Sequence, residues 1–195
     1  VEDEFTKRFM NHLWDTMLYG GLGGWNVFEH YMCHLLCKKP ATEFQCRKCV
    51  GKTDDAYRNL VPIELGGCVR IKFASDIIEA AKKTPNTVFY STDQYLKLID
   101  FVYRDYKNHF HAFQATIGKT HKATPKYIKE LQKKVGGGKN LSLYYLVPAE
   151  TFHGFVTHPV NPGIKDEGIT CDIYHVKVPK PNDESTVTAK EEQEI

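Results

Sequence analysis

Phe113-Gln114-Ala115-Thr116 is the stretch whose reading decides the fold. It has the pattern of a strand. Before it comes Ile99-Asp100-Phe101-Val102-Tyr103-Arg104-Asp105, an apolar strand opened by an isolated acid, and His121 follows it. Residues two apart on a strand share a face. Gln114 and Thr116 are therefore expected to project together beside whatever faces Asp100.

Outward from this run, the pattern alternates between helices and short strands. Residues 2–19 predict an amphipathic helix, with Phe5, Phe9, Leu13 and Met17 at helical spacing and Met10 and Trp14 alongside. Gly20-Gly21 and Gly23-Gly24 end it. A second helix is expected over 26–36, its apolar face made of Phe28, Tyr31, Met32 and Leu35. Residues 39–56 are polar and carry cysteines, and read as an irregular insertion after a helical part, 1–38. Residues 61–73 suggest a strand or hairpin broken at Gly66-Gly67. Ser75 or Asp76 can cap a helix that Pro85 stops. Strands are expected over 87–90, 96–104 and 110–117. A helix over 125–135 opens on Pro125 and closes at Gly136-Gly137-Gly138. Residues 141–147 form an apolar run of the fully buried strand type. Further strands are expected over 152–157 and 170–178. From residue 179 to 195 the chain is charged and poor in apolar residues, which predicts a disordered tail. The sum is a single α/β domain over 1–178 with a mixed central sheet flanked by helices.

Bulk properties exclude several classes. A chain of 195 residues with net charge +2 fits one globular domain, and its composition alone does not call for nucleic acid. No run is long and apolar enough for a membrane helix, and no signal-peptide pattern opens the chain. The first residue is Val1 rather than Met, so the chain is expected to be a piece of a longer protein. Six cysteines in clustered spacing do not read as a secreted disulfide framework, which favours a reducing compartment.

The strand pair carries the first candidate site. An acid at the head of one strand and two polar residues on the next are the layout of a metal-dependent nuclease site on an αβββαβ core, in variant form. Phosphodiester hydrolysis with a divalent cation needs hard oxygen ligands that hold magnesium and lower the pKa of the attacking water. Asp100 is the best ligand candidate. Its strand face would carry Leu96, Leu98 and Val102, where an unpaired carboxylate is costly. Glu29 is a second acid in an apolar stripe, with Trp25, Met32, Cys33 and Leu36 as helical neighbours. Gln114 offers a neutral carbonyl. The competing reading pairs Asp100 with a nearby lysine and leaves Glu29 at a helix boundary.

Other groups carry candidate chemistry. Seven lysines and one acid, Glu130, lie between Lys119 and Lys139. Lys122, Lys126, Lys129 and Lys133 recur on one helical face opposite Ile128, Leu131 and Val135. Such a face neutralises phosphates without reading bases, or is a solvated surface. Cys33, Cys37, Cys46 and Cys49 have spacing that suits a structural zinc site, or else Cys33 is a small core residue. His109 and His111 share a strand face and either bind a metal or sit half-buried. Gly118-Lys119-Thr120 lacks the upstream glycine of a P-loop, Phe113 standing there instead. Nucleophilic catalysis has little support. No GxSxG occurs, and nothing selects a histidine partner for Cys68 or Cys171.

Val27-Phe28-Glu29, the Ile99-Asp100-Phe101 strand, Phe113-Gln114-Ala115-Thr116 with His121, and Leu143-Tyr144-Tyr145-Leu146-Val147-Pro148 together resemble the C-terminal region of Crinkler and retrotransposon hot spot (RHS) proteins. The resemblance covers residues 20–160 and implies a PD-(D/E)XK nuclease-like fold. It implies a magnesium-dependent DNA endonuclease with Glu29 as the helix acid, Asp100 as the metal-binding acid and Gln114 replacing the second acid. Thr116 stands where the ancestral motif has lysine. That loses a cation near the phosphate, which Lys119 or Lys122 would have to supply. The resemblance further implies an N-terminal NTPase domain in the parent chain. It also implies residence in the nucleus, after delivery to a host cell for Crinklers, with the cytoplasm as the alternative. A catalytically inactive nucleic-acid-binding module and a protein-interaction domain with structural zinc are the alternative functions.

Overall fold

Eight consecutive residues, Leu141–Pro148, form a strand that is buried along its whole length. A strand with no polar face needs a covering layer on both sides, and the rest of the chain supplies the two layers. The computed structural model describes residues 11–16, 24–39, 41–49, 60–91, 99–122, 124–158 and 168–181. In chain order these form helix α1 (residues 11–16), α2 (Gly24–Leu36), strands β1 (Thr42–Lys48), β2 (Val61–Leu65) and β3 (Arg70–Ala74), and helix α3 (Ile77–Lys83). Then come β4 (Thr87–Ser91), β5 (Phe101–Arg104), β6 (Phe110–Ala115), β7 (Thr120–Lys122), α4 (Pro125–Lys134), β8 (Leu141–Pro148), α5 (Ala149–Phe152), β9 (Val156–His158) and β10 (Asp172–Val178). None of the described helices is long and apolar enough to cross a membrane.

Eight strands make one mixed sheet in the order β2-β1-β10-β8-β6-β5-β4-β3, and β7 pairs with β9 in parallel outside it. β4, β5 and β6 form an antiparallel meander. The chain then crosses through α4 and returns as β8, parallel to β6. β10 adds in parallel beyond β8, and β1 and β2 follow antiparallel. The chain is thus mixed α/β, a large mixed sheet flanked by helices.

Side-chain alternation divides the core between the two faces. On one face, Trp14 of α1 and Phe28, Met32 and Leu36 of α2 pack on Phe101, Phe113, Tyr144 and Leu146. There Tyr90, Phe101, Phe113, Tyr144 and Tyr174 stack ring on ring across adjacent strands, with centroids 6.5, 5.1, 5.0 and 5.3 Å apart. On the other face, Ile77, Ile78 and Ala81 of α3 and Ile128 and Leu131 of α4 cover Val102, Ala112, Leu143 and Tyr145. Each large side chain so buried contributes roughly 1.5–3 kcal/mol.

Local chemistry sets the helix ends. The Asp76 carboxylate accepts the Glu79 N–H at 3.1 Å and caps α3. Pro125 opens α4, whose end passes into Gly136 at φ +84°.

Several expected boundaries are corrected. Residues 42–48, assigned by sequence to the insertion 39–56, form β1 in the middle of one half of the sheet. Phe44 and Cys46 face the α2 layer, so the stretch alternates like any half-buried strand. The two halves of 61–73 are not a hairpin. β2 and β3 lie at opposite edges of the sheet. Residues 149–152, partly expected as strand, are a helical turn. The expected segments 2–10 and 182–195, and residues Leu96 and Leu98 on the Asp100 strand, lie outside the described residues.

Candidate functional site

Asp100 sits at a bend one residue before β5, and its backbone N–H donates to Phe113 O at 2.7 Å. The register pairs Phe101 with Phe113, so Asp100 stands across from Gln114 where the two strands leave the ladder. The carboxylate is held from β6. The Ala115 N–H donates to Asp100 Oδ2 at 2.6 Å and the Gln114 amide donates to the same oxygen at 2.8 Å. Glu29 comes from α2, which is pinned to this face by Phe28 and Met32. It is buried, and its carboxylate accepts a hydrogen bond from the Tyr90 hydroxyl of β4.

The electrostatics follow from two acids placed together out of water. Burial, then the charge of Glu29, carries the Asp100 pKa up to about 7, against the pull of the Ala115 and Gln114 donors. Burial also raises Glu29, opposed by the Tyr90 bond and the charge of His30. The Tyr90 hydroxyl is raised by burial and by its bond to Glu29. The two carboxylates are hard oxygen donors of the kind a magnesium-sized cation takes, whereas the Gln114 amide turns its NH2 rather than its carbonyl toward Asp100. A divalent charge there would offset the burial and the Glu29 repulsion that raise Asp100.

Thr116 lies one residue beyond this strand pair. β6 ends at Ala115. The Thr116 N–H donates to Leu146 O at 3.0 Å, and its hydroxyl accepts the Gly118 N–H at 3.3 Å, closing a turn. Lys119 is exposed in that turn. Lys122 ends β7, and its side chain lies outside the described residues. Among the described residues, no lysine or arginine bonds to Glu29 or Asp100. Sequence reasoning missed Tyr90. Tyrosine in a strand reads as core, and only the packing of α2 over β4 brings its hydroxyl to an acid.

The basic helix is not beside this cluster in the way expected. Ile128 and Leu131 anchor α4 to the face opposite α2. Lys126, Lys129 and Lys133 are exposed on its outer side, and the Lys129 stem passes Gly168 at 3.4 Å from where a Cβ would stand.

The cysteines do not gather into the expected four-thiol set. Cys33 and Cys46 are buried in the α2-side core and Cys37 packs against it, whereas Cys49 packs against the α4-side core. Burial pushes Cys46 up to about 11 and Cys49 up to about 12, the protonated state of core thiols. Among the described residues, no group of three or more His, Cys, Asp or Glu side chains is arranged to hold a metal ion.

His109 and His111 join a polar network at the far end of the β5–β6 hairpin. His111 Nδ1 lies 3.0 Å from the Tyr144 hydroxyl, and Nε2 lies 3.4 Å from Asp105 Oδ2. His109 Nε2 lies 2.8 Å from Ser142 Oγ. Burial and the His109 charge push His111 down to about 4, so it is neutral near pH 7.

Comparison with protein-family models, curated proteins and solved structures finds no match to this chain.

Proposed function

We propose that this is a PD-(D/E)XK-type nuclease domain acting on the phosphodiester bonds of DNA with magnesium. The observation that carries the reading is that Glu29 of α2 stands within charge reach of Asp100 at the adjoining ends of β5 and β6, where Gln114 bonds to Asp100. The element order supports it as well. A helix with an acid, a three-strand meander, a crossover helix and a strand parallel to the third occur in the order of the αβββαβ plan, with β1–β3 and α3 inserted after the first helix and β7 after the meander. The resemblance to Crinkler and RHS C-terminal regions points the same way.

Glu29, Asp100 and Gln114 would hold the ion. When bound, it neutralises phosphate charge and lowers the pKa of a water. The chain's own residues prepare the site. The Ala115 N–H and the Gln114 amide fix one oxygen of Asp100, and the Tyr90 hydroxyl orients Glu29. The cation role that Thr116 lacks falls to Lys119 or Lys122.

A second reading, a binding module without turnover, is favoured by one observation. The Thr116 hydroxyl is engaged by Gly118 and no described cation bonds to the acids. The test is incubation of the protein with plasmid and single-stranded DNA, with magnesium or manganese against EDTA, beside Asp100→Ala. Metal-dependent cleavage lost in the variant supports the nuclease. Absence of cleavage with equal DNA retention by both proteins replaces it with the binding module. Absence of both cleavage and retention removes both readings.

A further inference from the structure

Strand β3 is the outermost strand of the eight, paired only to β4 among the described residues. Among the described residues nothing pairs with its other edge, whose backbone donors and acceptors are the template on which a further strand adds. Natural edges of this kind are usually blunted by polar faces, but here one row is apolar. Ile71 and Phe73 alternate along the strand and Val69 stands at the bend just before it; the three are 40%, 61% and 55% exposed. The row continues inward through Phe73, whose ring meets Tyr90 edge-on at 5.5 Å. The alternate positions, Arg70 and Lys72, are exposed cations, and neither forms an ion pair among the described residues.

We infer that β3 is a docking edge for an extended peptide in which apolar and acidic residues alternate. Backbone pairing along the edge supplies affinity, and side chains of period two supply selectivity. The apolar positions of the peptide extend the Val69–Ile71–Phe73 row, and its acidic positions fall beside Arg70 and Lys72. Charge decides against a second copy of the chain as the occupant. Antiparallel pairing of two β3 strands about Ile71 sets Arg70 opposite Lys72, and like charges directly opposite are destabilising. The opposite sheet edge is an equally poor match, because Pro62 in β2 removes a ladder donor. The inference does not depend on the nuclease reading.

The test is fluorescence anisotropy of a dye-labelled synthetic peptide alternating valine with glutamate, titrated with the full chain. A valine–lysine peptide of equal length is the control. Saturable binding of the glutamate peptide is expected, tighter than the lysine peptide by about ten-fold, the scale of two cross-strand charge pairs reversed in sign. The Arg70→Glu/Lys72→Glu variant, altered only at exposed positions and checked by far-UV circular dichroism, is expected to invert that preference. Three results would overturn the inference. One is no saturable binding of the glutamate peptide to the native chain. Another is equal binding of both peptides. The third is displacement of the peptide either by self-association in sedimentation or by single-stranded DNA whose binding is lost in Phe73→Ala.

Discussion

Asp100 concentrates the physics of the candidate site in one side chain. It is placed at a strand end, held by two donors from β6, and raised to about 7 by burial and by Glu29. The sign of its effect on stability is fixed by that direction. Its unfolded pKa is near the ordinary carboxylate value, about 3.9. The folded value is higher, so the fold carries no penalty from Asp100 below that pH and an increasing one as pH rises through about 7. Asp100→Asn in EDTA is therefore expected to raise Tm by a few degrees at alkaline pH and to leave it unchanged in acid. Differential scanning calorimetry across that range reads it, and an equal shift at every pH would exclude the electrostatic cause. Glu29, Asp100 and Gln114 were legible because each is polar where the local period calls for an apolar residue. Tyr90 was not, because its ring satisfies the strand pattern and its hydroxyl acquires meaning only from α2.

At the scale of elements, β1 carries the largest misreading and a strong constraint. Thr42–Lys48 reads by sequence as part of the irregular insertion 39–56 because Cys46 and its neighbour Cys49 draw the reading away from its alternation. In the sheet, Arg47 is buried. Its guanidinium donates to the carbonyls of Phe152 at 2.7 Å and Phe155 at 3.1 Å and lies over the Phe152 ring at 4.5 Å. These bonds tie β1 to the turn after β8. Arg47→Met keeps much of the volume and strands both carbonyls, so a loss of about 2–4 kcal/mol is expected in urea unfolding. The junction between α2 and β2 is equally tight. Gly66 has φ +96°, and a Cβ there would stand 2.5 Å from Leu36 O. Gly66→Ala is expected to cost more than about 1 kcal/mol by the same measurement. An unchanged midpoint would mean the turn relaxes without strain. The glycine pair itself was visible in the sequence as a break between strands. That the break spans the whole width of the sheet was not.

Across the whole molecule, the two faces of the sheet separate candidate groups that the sequence had put side by side. The acid-bearing α2 and the lysine-bearing α4 cover opposite layers. Each layer also holds a neutral histidine. His111 is pushed down to about 4 by burial and then His109, and His175 to about 3 by burial and then Arg47. Both folded values lie below the ordinary histidine pKa near 6.5. Their stability contribution is therefore full above that pH and is lost as pH falls toward about 4 and about 3. The urea midpoint is expected to drop between about pH 6.5 and pH 4, and to drop less in His175→Phe than in the native chain. An identical drop in both would assign acid unfolding to other groups.

By itself the sequence determined what depends on local period and backbone chemistry. That includes the buried strand at 141–147, a helix capped at Ser75 or Asp76, the Pro125 helix start, and the acids standing where apolar residues belong. These follow from alternation, caps and the cost of an unpaired charge, all readable within a few residues. Only the tertiary structure decided which strands are neighbours, which face each helix covers, and therefore that Glu29 joins Asp100 while Lys126, Lys129 and Lys133 do not share its layer. Strand order and layer assignment are set by long-range burial, and a one-residue step in period exchanges the faces. No local pattern carries that information.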